Sequence, residues 1–178
     1  MRRARSCRGT TAIETIIGAA LLVVVIGGAA AMTKASTDVQ QSTNDATTAS
    51  LRADRAVKLL GDAIRKGSLG TMQHRDGTTF SDGTNDTGFK VQAVKAYTNA
   101  PVLDTVATYH FDLVGGATEG ALTQTQNGVD RVIVNGVTSF TVTRSGSLFT
   151  IDIRTRSGPA DSRSRTTHAT LQVASRNP

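Results

Sequence analysis

Gly9-Thr10-Thr11-Ala12-Ile13-Glu14-Thr15-Ile16-Ile17-Gly18-Ala19-Ala20-Leu21-Leu22-Val23-Val24-Val25-Ile26 opens an apolar run that reaches Met32. Thr15 to Thr33 carries no charge. As a helix rising 1.5 Å per residue it spans roughly 28 Å, close to the bilayer's hydrocarbon core of about 30 Å. Arg2, Arg3, Arg5 and Arg8 precede it, and only Lys34 follows closely. The positive-inside rule then places residues 1–9 in the cytoplasm and everything after about residue 34 outside. Glu14 stands at the front of this run. An ionised carboxylate within a spanning helix costs ~2.5–3.5 kcal/mol, so such a residue points to function and needs a partner.

Working outward, the polar stretch from Lys34 to Ser50 holds no Pro and no Gly, so a helix can continue through it. Ala53, Ala56, Val57, Leu60 and Ile64 then recur at helical spacing and make one apolar face. Arg65 and Lys66 suit a last turn, and Gly67 is a stop signal. One helix over about 12–66 is expected, with residues 10–33 in the membrane and 34–66 amphipathic outside it. Gly61 weakens that helix by about 1 kcal/mol relative to Ala, so packing must compensate.

Residues 67–104 are punctuated by Gly70, Gly77, Gly83, Gly88 and Pro101 and read as a loop region. From about 105 the period becomes two. Tyr109, Phe111 and Leu113 alternate with His110 and Asp112; Ala121 to Gln126 makes a short strand. Val132-Ile133-Val134 meets Asn135-Gly136, a hairpin signal. Thr138, Phe140 and Val142, then Phe149, Ile151 and Ile153, then Ala169, Leu171 and Val173 continue the alternation, with a turn at Ser145-Gly146. Residues 105–178 are thus an antiparallel meander with one buried face. The helix is its natural cover, an α+β architecture.

The start Gly9-Thr10-Thr11-Ala12-Ile13-Glu14, with its basic leader and uninterrupted apolar helix, resembles the leader of type IV pilins and pseudopilins. The resemblance implies that residues 1–9 are a leader cut after Gly9 by a prepilin peptidase. Thr10 becomes the methylated first residue and Glu14 the fifth. It further implies that Glu14 pairs with the terminal amine of a neighbouring subunit during assembly. The family most often has Phe where this chain has Thr10, which weakens the case for methylation more than for cleavage. The segments Leu51–Arg65, Val134–Phe140 and Leu171–Asn177 are similar to J-class minor pseudopilins of type II secretion and W-class minor pilins. Major pilins often close their C-terminal region with a disulfide. Here Cys7 is the only cysteine, which favours a minor subunit. The start also resembles pseudopilins of tight-adherence pili, although those carry an aromatic where this chain has Thr15. The implied partners are the prepilin peptidase, other pilin or pseudopilin subunits, the inner-membrane assembly platform and the lipid bilayer.

Two other readings of the N-terminus remain open. Ala29-Ala30-Ala31 offers a signal-peptidase-like site before Met32, which would release a secreted β-rich binding domain. A plain uncleaved anchor leaves Glu14 unexplained. The charge of the whole chain says little about a nucleic-acid partner. The net +6 owes four charges to the N-terminal arginines, and without them 16 basic residues face 14 acidic ones. Arg154, Arg156, Arg163 and Arg165 cluster near the end without interleaved aromatics, so nucleic acid is not expected as a partner.

No enzyme, metal or cofactor is expected. His74, His110 and His168 are isolated in the sequence, and His110 falls opposite Tyr109 and Phe111, on an exposed face. No serine lies in a nucleophile-elbow context, and there is no phosphate-binding glycine loop. Asp76, Asp82 and Asp86 with Asn85 match no standard calcium loop and read as solvated loop acids.

Overall fold

A computed structural model describes residues 12–97, 101–113, 117–158 and 164–175. Helix α1 runs from Ala12 to Lys66, as the sequence periodicity predicts. Met1–Gln41 and Ser42–Pro178 form two compact units.

In the first unit every described residue is exposed, and the apolar residues from Ile13 to Ile26 have no protein packed on them. This stretch is long and apolar enough to cross a membrane. The helix disposes of its own polar groups. Thr33 Oγ1 donates to the Ala29 carbonyl and Thr37 Oγ1 to the Thr33 carbonyl, both at 2.9 Å. Hydroxyls satisfied this way carry no unmet donor into an apolar environment.

In the second unit α1 buries Ala49, Ala53, Ala56, Leu60, Gly61 and Ile64. Three alanines and a glycine let the sheet approach closely. A Cβ built on Gly61 would stand 2.6 Å from Leu171 Cδ2, so the glycine that costs helix propensity is there for space. The helix ends at Lys66, and the next residue is Gly67, where any side chain would collide with Val91. Thr155, wholly buried, donates its hydroxyl to the Ala49 carbonyl at 2.7 Å and ties helix to sheet.

The sheet is antiparallel throughout and curled. Its strands are β1 Gln73–His74, β2 Asn85–Asp86, β3 Gly88–Val91, β6 Ala107–Asp112, β7 Gly120–Gln126, β8 Val129–Ser145, β9 Leu148–Ser157 and β10 Arg165–Ala174. The order is β1-β3-β6-β7-β8-β9-β10, with β2 pairing onto the far end of β8. Strands β4 Val94–Tyr97 and β5 Pro101–Leu103 make a separate hairpin. The inward residues of β6, β8 and β9, with Leu60 and Ile64 of α1, form the core.

Four expectations change. Residues 67–104 are not simply loop: Met72, Phe80, Phe89 and Val91 are core residues, and β1 and β3 extend the sheet. Apolar residues spaced this irregularly leave no periodicity to read. Asn135-Gly136 is not a hairpin. β8 runs straight through it, and Gly136, at φ +74°, forms a bulge where Gly120 pairs with Val137 and Ala121 with Asn135. The turn sits instead at Asn127-Gly128, both at positive φ, with Gln126 opposite Val129. Leu113 is 50% exposed and leaves the core face. His110 is mostly covered rather than exposed, its side chain retaining 16% of its accessible surface.

Candidate functional site

The N-terminal feature is the best-defined candidate site, and the described residues cover it in part. Gly9 and Thr10 lie outside them. Glu14 sits in the first turn of the described helix, where a carboxylate is favoured by the helix dipole. After it come Ile16, Ile17 and the Leu21–Ile26 run, each with more than half of its surface exposed. The helix thus presents a continuous apolar surface directly after an acid. What it offers chemically is one carboxylate at the head of an apolar surface that water disfavours and that is long enough to cross a membrane.

The basic cluster near the C-terminus is dispersed. The Arg156 side chain is 16% exposed and lies 3.4 Å from Glu119. Arg165 donates from Nε and Nη2 to Ser42 Oγ at 2.9 and 2.7 Å. Arg163 lies outside the described residues. Arg154 remains as an exposed cation on the sheet's outer face.

The loop acids do not converge either. The Asp76 carboxylate accepts from the hydroxyl and main-chain N–H of Thr78, which hold it below the usual carboxylate range. Asp82 accepts from the Gly146 N–H. Among the described residues no three His, Cys, Asp or Glu side chains form a metal-binding group.

Asp86 joins a network that sequence spacing gave no reason to expect. His74 Nδ1 lies 3.0 Å from Asp86 Oδ2, and its Nε2 lies 3.2 Å from Thr84 Oγ1. The ring stacks on Phe80 at 3.9 Å, and the Arg75 N–H also donates to Asp86. A hydroxyl, an imidazole and a carboxylate in line resemble a proton relay in outline. The Thr84 hydroxyl, however, donates to the Ser81 carbonyl at 2.7 Å, the shorter of its two contacts. The arrangement therefore acts as a brace that pins residues 74–86 over Phe80. Arg75 adds a two-pronged ion pair with Asp112. Its hydrogen bonds hold the Asp112 carboxyl below its ordinary range and raise Arg75 further.

A groove of about 480 Å³ lies between the end of α1 and the sheet, floored by Leu59, Ala63, Val91 and Tyr109. Burial pushes the Tyr109 phenol up, and its ring stacks on Phe89. Asp62, Lys66, Asp104 and Arg131 line it with balanced charge, which selects no ligand class.

Comparisons with known protein families, with curated proteins and with solved structures find no match.

Proposed function

We propose that this chain is a minor pilin or pseudopilin, a structural subunit of a type IV pilus or of a type II secretion pseudopilus. In this reading a prepilin peptidase removes residues 1–9, releasing Thr10. Helix 10–33 holds the subunit in the cytoplasmic membrane as a single pass, with the remainder outside. An inner-membrane assembly platform then builds it into a filament, where Glu14 is matched to the terminal amine of a neighbour. One observation carries the reading: a single helix joins a wholly exposed apolar stretch, headed by Glu14, to a segment packed on an antiparallel sheet. A cleavable export signal needs neither the acid nor the helical continuation.

The intact mass and N-terminal sequence of the protein from its native host test this. A chain beginning at Thr10, with or without one methyl group, is the expected result. A chain beginning at Met32 would overturn the proposal and leave a secreted β-rich domain. Glu14→Ala separates assembly from insertion: the variant is expected in the membrane fraction, but no longer co-purifying with its partner subunits. Undiminished co-purification would remove Glu14 from its role.

A further inference from the structure

We propose that the outer edge of β10 is a docking site for an extended, acidic segment of a different subunit, which adds to the sheet through main-chain hydrogen bonds. That the partner is a filament subunit rests on the reading above; the edge and its chemistry do not.

The two ends of the sheet differ. One ends in β1, two residues long. The other ends in β10, ten residues paired one-to-one with β9 from Arg165↔Ser157 to Ala174↔Leu148, with no shift of register. Among the described residues β10 pairs with no strand but β9, so its outward N–H and C=O groups form an open row. Such a row is a template for another strand, and proteins ordinarily blunt it with Pro, Lys, a bulge, brevity or a cover. β10 has no Pro, no Lys and no bulge, and its one formal charge, Arg165, stands at its first residue, which leaves the nine that follow unguarded. Helix α1 meets it through inward side chains, Leu171 beside Gly61 and Arg165 on Ser42.

A second copy of β10 is a poor occupant. Ser42 lies by Arg165 and Gly61 by Leu171, so α1 runs alongside β10 in the same direction. Antiparallel self-pairing about a two-fold axis would set the two copies' helices in opposite directions. A second copy also brings the same cations to the seam, Arg165 on the strand and Arg154 beside it, so two such edges repel. Parallel self-pairing staggers its hydrogen bonds and closes no dimer. The incoming strand therefore comes from a different segment, and its charge can be read from what borders the edge. Arg154 is exposed beside His168, and its side chain meets no carboxylate among the described residues. The nearby acid, Asp152, is already engaged by His168 at 2.7 Å and by Thr170. A strand bearing carboxylates complements this border, and a basic strand is repelled.

The test uses the full chain in detergent and fluorescent strand-length peptides of alternating Thr and Val. These carry Glu, Gln or Lys, with each also made in a form N-methylated at alternate residues. The Glu peptide should bind saturably and about tenfold or more tighter than the Lys peptide. N-methylation should abolish binding, Arg154→Gln should shrink the Glu–Lys difference, and amide-exchange protection should appear within residues 165–174. No saturable binding up to about 1 mM, equal binding of the methylated peptides, or protection elsewhere would each overturn the proposal. None of these readouts requires filament assembly, so they stand or fall apart from the N-terminal mass and Glu14 experiments.

Discussion

Replacing Gly61 with alanine sets two known effects against each other at one position. Alanine in a helix interior is favoured over glycine by about 1 kcal/mol. Its Cβ, however, would stand 2.6 Å from Leu171 Cδ2, where ordinary carbon contacts need about 3.5–4.0 Å. Overpacking of this kind costs about 1–3 kcal/mol. Leu171 is only partly buried and lies on an edge strand, so it yields more readily than a central residue, and the low half of that range applies. The expected net effect of Gly61→Ala is a loss of about 1 kcal/mol at most. Truncating Leu171 to alanine removes the obstacle. In that background Gly61→Ala should reverse sign and stabilise by up to about 1 kcal/mol. The coupling between the two sites is then about 1–2 kcal/mol. Urea unfolding of the four proteins in detergent, followed by tyrosine fluorescence, measures it. Additive effects within about 0.5 kcal/mol would refute the argument that space at Leu171 is why position 61 is glycine.

Four further variants concern the sheet and its charges. Gly128→Ala should cost about 1 kcal/mol, because its φ of +74° is strained for alanine but its surroundings are open. Gly136→Ala shares that φ and would also press on the Arg156 carbonyl at 2.6 Å, so its melting temperature should fall well below that of Gly128→Ala. Thr155→Val keeps the shape but loses the buried bond to the Ala49 carbonyl; a loss of about 1 kcal/mol in urea unfolding is expected, and a stability gain would count against that tie. The Asp112 carboxyl is lowered in the folded state by its hydrogen bond from Arg75. Its contribution is therefore present above the ordinary carboxylate value of about 3.9 and is lost as pH falls through the lowered one. The stability gap between the native chain and Asp112→Asn should narrow below about pH 4; its size is modest because the pair is partly exposed and screened. A gap constant between pH 6 and 2 would show that the ion pair contributes nothing.

Regular elements were legible in the residues because their periods are. Ala53, Ala56, Leu60 and Ile64 give the helix its buried face, and Phe149, Ile151 and Ile153 give β9 its own. Failures came where one residue pair serves two backbone purposes. Asn127-Gly128 and Asn135-Gly136 carry the same turn chemistry, yet the first closes a hairpin and the second makes a bulge within a strand paired on both sides. Composition cannot separate them, because the choice is made by where β7 finds its partner. Phe80 and Phe89 were equally silent: each is a lone aromatic with no apolar alternation around it, and what holds them is long-range, strand pairing of Phe89 with Tyr109 and, for Phe80, the stacked His74 ring with its Asp86 partner and the Arg144 side chain on the Phe80 carbonyl. For the candidate site, the apolar helix and Glu14 were plain from charge and length alone. The open edge of β10 was not, since a strand's sequence does not say which neighbour it lacks.

These features bear on one another through the polarity of the chain. A helix whose first part has no protein around it and whose second part is committed to a sheet can bury its apolar surface only in lipid or against other helices. In the proposed filament the second unit lies among other subunits at high local concentration, and there an unblunted strand edge is a hazard unless it has an assigned use. Edge strands that must remain single are blunted by charge, proline, a bulge or a cover, and β10 carries no Pro, Lys or bulge over ten residues and only Arg165, at its first position, as a formal charge. A lysine on the edge discriminates between the alternatives. Thr170→Lys replaces the hydroxyl that faces Asp152 with a cation near Arg154 and His168, on the exposed side of the edge. If the edge is used, this variant should fold and insert normally, bind an acidic strand peptide more tightly than the native chain does and a lysine-bearing one more weakly, and lose both when the peptide is N-methylated. If the edge is idle, the variant should match the native chain in both respects, and β10 would be a strand whose exposure is tolerated rather than employed.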